Sequence, residues 1–226
     1  MSEPALTLAI DTSITVAVGI ARGDEVLAEQ TVDDTRAHVE QLMPSITAAA
    51  QRAGVALTEL NRVVVGLGPG PFTGLRVGIV TAQTIAAATG AELHGVCTLD
   101  ALAAQAVAEW DETGEPVPAE FLTTIDARRK ELYWARYDAS GTRLTDPVVG
   151  PPVDLPDVPV LGPGALVYPD LLVSRATGLA PGRLAVLGPR LPAAGTEPLY
   201  LRRPDATVST KRKSTLVSPV RRRRDR

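Results

Sequence analysis

Three short apolar segments open the chain and constrain its fold more than any other feature. They are "ALTLAI" at 5–10, "ITVAVGIA" at 14–21 and "EVLAEQTV" at 25–32, and only the turns "DTS" and "RGD" separate them. Turns this short join antiparallel neighbours, whereas parallel strands need a long crossover connection. The sequence therefore predicts a three-stranded antiparallel meander.

Helical and strand patterns alternate after the meander. Apolar residues recur at three- and four-residue steps from Arg36 to Gly54, as on one face of a helix. Pro44 either kinks this helix or marks its first turn. The next predicted elements are a strand at 61–66, a helix at 73–88 closed by Gly90, a strand at 91–96 and a helix at 99–110. The order βββαβαβα indicates an α/β fold.

The polar, proline-containing segment "DETGEPVPA" at 111–119 predicts a domain boundary. We place a first subdomain at 1–113 and a smaller second one at 114–206, the latter with two strands in "EFLTTIDARRKELYWARYDASG" and a helix near 165–173. Residues 207–226 carry many like charges and few large apolar residues, so they predict a disordered basic tail.

Charge is divided unevenly along the chain. From Arg202 onward there are ten basic and two acidic residues, against thirteen basic and twenty-four acidic ones before it. The body is therefore near −11 and the tail near +8. An acidic body with only 4% aromatic residues lacks the cationic groove and stacking rings of a nucleic-acid platform. Only the tail is expected to contact RNA.

The expected compartment is the cytoplasm. The single cysteine, Cys97, excludes a disulfide framework and favours a reducing environment. The first residues, "MSEP", lack the basic charge of a secretory signal, and "ALTLAI" is far too short to cross a bilayer. We expect no membrane association.

The segment "VVVGLGPGPFTGLRVG" at 63–78 has the strand, loop and helix order of a phosphate-binding loop. A Walker loop needs Lys and then Ser or Thr after its last Gly, but Leu75 and Arg76 follow Gly74. The dinucleotide fingerprint also fails, because Thr73 stands where a glycine is needed. A purely local interpretation remains: prolines stiffen the turn, glycines permit positive φ, and Thr73 caps the helix.

A second turn, "AIDTS" at 9–13, places a carboxylate and two hydroxyls at the end of a strand. It is either an ordinary turn stabilised by its own side chains or part of a phosphate site. Together, the two turns fall where sugar kinases, Hsp70 ATPases and actin hold phosphates. The residues of this candidate vestigial nucleotide site are Asp11, Thr12, Ser13, Gly68, Gly70 and Thr73.

The chain resembles the TsaB (YeaZ) family over nearly all of its predicted folded part. The matching motifs, in order, are "LAIDTS" at 8–13, "RAHVEQLMPSI" at 36–46, "GLGPGPFTGLRVG" at 66–78, "IDARRKELYWARY" at 125–137 and "PLYLR" at 198–202. The resemblance implies an actin-like ATPase fold with two RNase H-like halves, the second reduced.

The resemblance also implies a function and partners. Family members pair with the related catalytic protein TsaD and act with the ATPase TsaE. Together they place a threonylcarbamoyl group on the adenosine beside the anticodon, in tRNAs that read codons beginning with A. ATP is then used by the complex, no cofactor is held tightly by this chain, and two copies can self-associate when the partner is absent.

Two missing features predict that this chain is the helper and not the catalyst. In TsaD relatives a His-x-x-x-His pair ligates a metal, but the aligned positions here are Thr98 and Leu102. The two histidines, His38 and His94, lie on different predicted elements, so no metal site is expected. The hairpin that begins "TIDARRKEL" lacks the glycines that close over a nucleotide in this superfamily, which argues against efficient turnover.

The resemblance places the partner interface on the first two helices. A row of small residues, Gly78, Ala82 and Ala86, offers either a surface for a partner helix or a contact with the chain's own sheet. The interface residues we predict are His38, Leu42, Met43, Ile46, Arg76, Val77, Val80, Thr81 and Thr84.

Two other classes of function stay open at this point. One is an independent enzyme, either a weak ATPase using Asp11 or a peptidase, although the sequence has no metal-binding His-Glu-x-x-His helix and only one cysteine. The other is an interaction module whose basic tail engages RNA or a membrane.

Overall fold

The computed structural model describes residues 3–32, 38–168, 171, 173–175 and 178–202. Ten strands and four α-helices are assigned within these ranges, together with four short 3-10 helices. In the first half they are β1 (Leu6–Asp11), β2 (Val16–Arg22), β3 (Glu25–Val32), α1 (His38–Ala53), β4 (Arg62–Gly66), α2 (Phe72–Thr89), β5 (Glu92–Val96) and α3 (Thr98–Thr113). In the second half they are β6 (Glu120–Asp126), β7 (Leu132–Asp138), β8 (Val148–Gly150), β9 (Val160–Leu161), β10 (Val173–Arg175) and α4 (Pro181–Leu187).

The first sheet has the strand order β3-β2-β1-β4-β5. β1, β2 and β3 form the predicted antiparallel meander, whereas β4 and β5 run parallel to β1. The predicted order of elements is therefore confirmed, and helices cover both faces of the sheet, α1 and α2 on one face and α3 and α4 on the other.

The second sheet repeats this topology with much shorter connections. Its order is β8-β7-β6-β9-β10, where β6, β7 and β8 form an antiparallel meander and β9 and β10 are parallel to β6. Short 3-10 helices at Pro152–Asp154 and Pro163–Val167 stand where the first half has α1 and α2. The two halves share one plan and the second is reduced, as the actin-like ATPase fold requires.

Two hydrophobic cores lie on opposite faces of the first sheet. Residues of β1 alternate between them, so that Leu6, Leu8 and Ile10 pack under α1 and α2, whereas Ala9 faces α3 and α4. α4 crosses back from the second half onto the first sheet, where a Cβ on Gly19 would lie 2.0 Å from the carbonyl oxygen of Pro181. The two halves are therefore packed against each other through helices.

Two local predictions from the sequence were wrong. The helix expected near 165–173 is only the 3-10 helix Pro163–Val167, and the α-helix of this region is α4, which begins at Pro181. Thr73 does not cap α2: it lies inside that helix, which follows Pro71 and has no side-chain cap. Of the two alternatives for Pro44, the first-turn position is excluded, because Pro44 lies in the interior of α1.

Several predictions concern residues beyond the described ranges. The basic tail 207–226 lies outside them, as do residues 33–37 at the predicted start of the first helix. Among the helices that are described, none combines the length and hydrophobicity that a membrane span requires.

Candidate functional site

The Asp11 turn is the polar centre of the first half, and it is buried. The Asp11 carboxylate accepts hydrogen bonds from the Ser13 backbone N–H at 2.8 Å and from the Thr98 hydroxyl at 2.6 Å. The Thr12 hydroxyl donates to the carbonyl oxygen of Gly74 at 2.8 Å. Asp11, Thr12 and Ser13 are each at most 1% exposed. The polar groups predicted for phosphate binding are therefore hydrogen-bonded within the protein, Asp11 to Ser13 and Thr98, and Thr12 to Gly74 of α2.

The glycine-rich loop lies directly on this turn. A Cβ on Gly66 would be 1.7 Å from Asp11 Oδ2, and one on Gly70 would be 2.8 Å from the Ser13 backbone. A Cβ on Gly78 would be 2.2 Å from the Thr12 hydroxyl. The glycines thus permit a close approach between two segments of protein, and the space beside the Asp11 turn is filled by the chain itself.

The other loop residues have separate roles. Gly68 has a φ of +99°, its N–H donates to the Thr98 hydroxyl at 3.3 Å, and its carbonyl oxygen accepts from the Thr98 N–H at 2.9 Å. Thr73 is exposed on the first turn of α2. The structure therefore brings Asp11, Thr12, Ser13, Gly68 and Gly70 together but leaves Thr73 apart. The structure adds Thr98 to this group of residues. In the sequence, Thr98 was notable only because a metal-ligating histidine stands at the aligned position in TsaD relatives.

Burial raises the pKa of Asp11, and the hydrogen bonds from Thr98 and Ser13 offset only part of that effect. The folded state therefore holds the carboxyl proton more tightly than the unfolded chain does. The contribution of Asp11 to the free energy of unfolding therefore falls as pH rises from the ordinary pKa of 3.8 to the folded pKa, and this contribution is constant above the folded pKa.

We expect Asp11→Asn to remove this decline. The amide keeps an acceptor for the Ser13 N–H and presents a donor to the neighbouring hydroxyls, but it cannot ionise. Urea denaturation of both proteins at a series of pH values from about 4 upward checks this prediction. The difference in unfolding free energy, variant minus parent, should increase with pH and then level. Parallel curves for the two proteins would contradict it.

A cleft of about 200 Å³ lies between the two halves, outside the filled turn. Its walls are the start of α2 and the last residues of the described chain on one side, and the β6–β7 turn on the other. The residues that line it are Gly70, Pro71, Phe72, Asp126, Ala127, Arg128, Arg129, Tyr133, Tyr200, Leu201 and Arg202. Three arginines make this wall basic in a body that is otherwise acidic.

The two positions that align with the metal ligands of TsaD relatives, Thr98 and Leu102, have other roles, and His94 lies apart from them. Thr98 contacts Asp11 and Leu102 is buried in the core, while His94 Nε2 lies 3.1 Å from the carbonyl oxygen of Leu191. No group of three or more His, Cys, Asp or Glu side chains is placed to share a metal ion within the residues that the structure describes.

The outward face of α2 carries little charge, whereas that of α1 is mixed. Met43 on α1 is 45% exposed and Val80 on α2 is 57% exposed, although both are large hydrophobic residues. The 18 residues of α2 include one charge, Arg76. The other exposed residues of α1 are Glu40, Gln41, Pro44, Thr47, Gln51 and Arg52, and those of α2 are Phe72, Thr73, Thr84, Ala87 and Ala88, with Val77 and Thr81 partly exposed.

Part of the predicted interface faces inward instead. Leu42 and Ile46 are fully buried against the first sheet, so these two predicted contacts are wrong for this conformation. The small row Gly78, Ala82 and Ala86 is also buried, because it packs on the chain's own sheet. The side chain of His38 lies outside the described part of the chain.

An aromatic cluster at the start of α2 was missed by the sequence analysis. The rings of Phe72 and Tyr200 stack at 4.9 Å, and the Arg76 guanidinium lies 4.0 Å from the Phe72 ring centroid. Arg76 also donates to the Tyr200 hydroxyl at 3.0 Å. The motif "PLYLR" contained Tyr200, but its contact with a residue 124 positions away is set by tertiary packing.

Comparison with known proteins relates this architecture to one family. The family model described as TsaD, tRNA N6-adenosine threonylcarbamoyltransferase, matches residues 25–163, which is more than half of the chain. An uncharacterized protein of Mycobacterium tuberculosis is 39% identical over 207 residues, covering 88% of this chain and 92% of that protein.

Two further comparisons carry the family name. The tRNA threonylcarbamoyladenosine biosynthesis protein TsaB of Escherichia coli is 37% identical over 102 residues, which cover 45% of this chain and 42% of that protein. A solved Pseudomonas aeruginosa structure, described as similar to peptidase YeaZ, superposes with a TM-score of 0.69 at 26% identity, covering 88% of this chain and all of that one. The repeated topology, the motifs and these matches agree, and the chain belongs to the TsaB (YeaZ) family, within the wider group that the TsaD model describes.

Proposed function

We propose that this chain is a non-catalytic subunit of the complex that transfers a threonylcarbamoyl group to the adenosine beside the anticodon, in tRNAs that read codons beginning with A. Its task is to bind and support a TsaD-like catalytic subunit, with a TsaE-like ATPase and ATP serving the complex. The observation that carries the proposal is the outward face of α2, which has a single charge, together with the exposed apolar side chains of Val80 on α2 and Met43 on α1.

Solvent-facing helices normally carry charged residues, and α2 has only Arg76. A groove of about 340 Å³ continues this face between α2 and the C-terminal segment, beside Val80. An uncharged patch next to a groove suits a protein partner, because interface centres are depleted in charge. The same face can hold a second copy of the chain when the catalytic partner is missing.

The competing hypothesis of a weak independent ATPase has little support in the site. Asp11 is enclosed by Thr98, Ser13 and the glycine loop, so no surface of its carboxylate is available for a nucleotide phosphate or its metal ion in this conformation. We therefore expect ATP turnover by the isolated chain to be no faster than that of Asp11→Asn, which keeps the fold of the turn. Phosphate release measured for both proteins checks this, and hydrolysis that disappears in the variant would favour the ATPase.

A peptidase role also lacks a reactive group. Burial, and secondarily the charge of Asp100, raises the pKa of the Cys97 thiol to about 11. A thiol with that pKa is almost fully protonated at neutral pH and is a poor nucleophile. Cys97 is moreover completely buried.

Reconstitution tests the proposed function directly. Purified TsaD-like and TsaE-like proteins, supplied with ATP and a preformed activated threonylcarbamoyl donor, should modify tRNA only when this chain is added, and the isolated chain should transfer nothing. Modification at full rate without the chain, or by the chain alone, would contradict the proposal.

A further inference from the structure

The two halves of the molecule contain equivalent turns that differ sharply in charge. Asp11 pairs with Ala17 across β1 and β2, and Asp126 pairs with Leu132 across β6 and β7, so five residues form the turn in each half. In both turns the carboxylate accepts a 2.8 Å hydrogen bond from the N–H two residues later, Ser13 in one half and Arg128 in the other. The first turn is buried and uncharged beyond its aspartate, whereas the second is exposed and contains three consecutive cations.

We call residues Arg128, Arg129 and Lys130 the basic tip. Their φ angles are +60°, +55° and +62°, which is the left-handed conformation that glycine normally adopts. The Ala127 N–H donates to the Glu131 carbonyl oxygen at 3.0 Å and closes the turn. Because consecutive left-handed residues are costly for side chains with a Cβ, an ordinary turn sequence would place Gly or Asn here. The three basic residues are instead displayed at the surface on a hydrogen-bonded turn.

The end of the described chain lies against the basic tip. Arg202 donates to the Ala127 carbonyl oxygen at 2.8 Å and forms an ion pair with Glu131. The turn and Arg202 together carry four cations against two carboxylates, and each carboxylate pairs with one cation, Asp126 with Arg128 at 3.1 Å and Glu131 with Arg202. The residues that follow Arg202 in the sequence add further positive charge from this point. The fold therefore gathers cations at one edge of a body with a large excess of acids.

We propose that the basic tip is a docking point for the phosphodiester backbone of RNA. An exposed cationic turn attracts phosphates by releasing their counterions, and it needs no complementary base edge to do so. Phe72 and Tyr200 line the cleft beside the tip. The inference depends on the proposed function only in naming tRNA as the RNA.

The tip and the proposed partner face are different parts of the surface that meet at Tyr200. The tip lies across the cleft from the start of α2, whereas Met43 and Val80 lie on the outward face of α1 and α2. Tyr200 lines both that cleft and the groove beside Val80, so an RNA held by the tip itself leaves Met43 and Val80 accessible to the partner. Because the acidic body repels phosphates, a fixed cationic edge would also orient the RNA toward this end of the molecule.

The test compares two variants with the same loss of charge. Arg128→Asn/Lys130→Asn removes two cations, and Asn tolerates the left-handed conformation of the turn. The control Arg22→Gln/Arg62→Gln removes two cations that pair with Glu3 and Glu92. Arg22 and Arg62 pair with the first residues of β1, so they lie at the opposite end of these strands from Asp11 and the glycine loop. Both variants are made in the full-length chain and assembled with the TsaD-like partner.

Binding of unmodified tRNA is measured by fluorescence anisotropy from about 0.05 to 0.2 M salt. The tip variant should bind about tenfold more weakly at the low end, and its slope of log K against log salt should be shallower by about 1.4 to 1.8. The control variant should match the parent. Equal slopes for the tip variant and the parent would overturn the proposal.

Affinity for the TsaD-like partner is measured for the same proteins. The proposed function and the RNA-docking role of the tip are therefore tested independently of each other. If no complex forms, the proposed function is wrong, and the same titration on the isolated chain decides the role of the tip. The sequence predicts that the tail also contacts RNA. Deleting residues 207–226 from the tip variant should therefore make the slope of log K against log salt shallower still. If the tip variant no longer binds a polyglutamate peptide but binds tRNA as the parent does, the tip is a site for an acidic protein segment and the RNA proposal is wrong.

Discussion

Replacing Met43 with Asp should weaken binding to the TsaD-like partner by at least about thirty-fold, without unfolding the protein. Met43 is 45% exposed on α1, so the free chain tolerates a carboxylate there. In the proposed complex the same carboxylate would be buried without a counter-ion, which costs about 2 to 5 kcal/mol at an interface. Isothermal titration calorimetry with the purified partner measures the loss, and circular dichroism confirms the fold.

Two further substitutions define where the interface lies. Val80→Asp on the neighbouring helix should weaken partner binding to a similar extent, whereas Val153→Asp should have no effect, although Val153 is the more exposed residue at 86%. Leu42→Asp should instead unfold the protein, because Leu42 is buried in the core. Unchanged affinity for folded Met43→Asp and Val80→Asp would place the contact on another face.

Gly66→Ala should destabilise the protein by about 3 kcal/mol, at the upper end of what overpacking usually costs. The new Cβ would lie 1.7 Å from Asp11 Oδ2 and 2.9 Å from the Thr98 hydroxyl, and both groups are buried and hydrogen-bonded. Neither can move aside without breaking the bonds that satisfy the carboxylate. Chemical denaturation of the variant and the parent measures the difference in unfolding free energy.

The matched control is Gly178→Ala, because nothing lies within 4 Å of a Cβ at Gly178. It should change the unfolding free energy by less than about 0.5 kcal/mol. Adding Gly66→Ala to Asp11→Ala should cost less than adding it to the parent, because the closest atom is then gone. Equal costs in the two backgrounds would show that the loop does not rest on Asp11.

The fold of the first half was predictable from local pattern. Alternating apolar residues and the short turns "DTS" and "RGD" determine a meander, because a strand pair joined by so few residues must be antiparallel. Gly90 closes α2 in the left-handed conformation that the sequence indicated. The second half was harder, because its strands and helices are short and its many Pro and Gly residues interrupt the periodicity on which such predictions depend. The family resemblance implied a reduced second half, but the residue pattern alone did not show its repeat of the first sheet, which strand pairing reveals.

The sequence by itself determined the family, the order of elements in the first half and the residues of the Asp11 turn. Only the tertiary structure decided what those residues do. Whether a carboxylate faces a nucleotide or Thr98, 87 residues away, depends on how closely the glycine loop approaches it. The same holds for α1, where Leu42 and Met43 are adjacent in sequence and the packing of the helix on the sheet buries one and exposes the other. Periodicity identifies a helix with two faces, but the direction of each face is set by long-range contacts, and so are the two surfaces proposed here for the partner and for RNA.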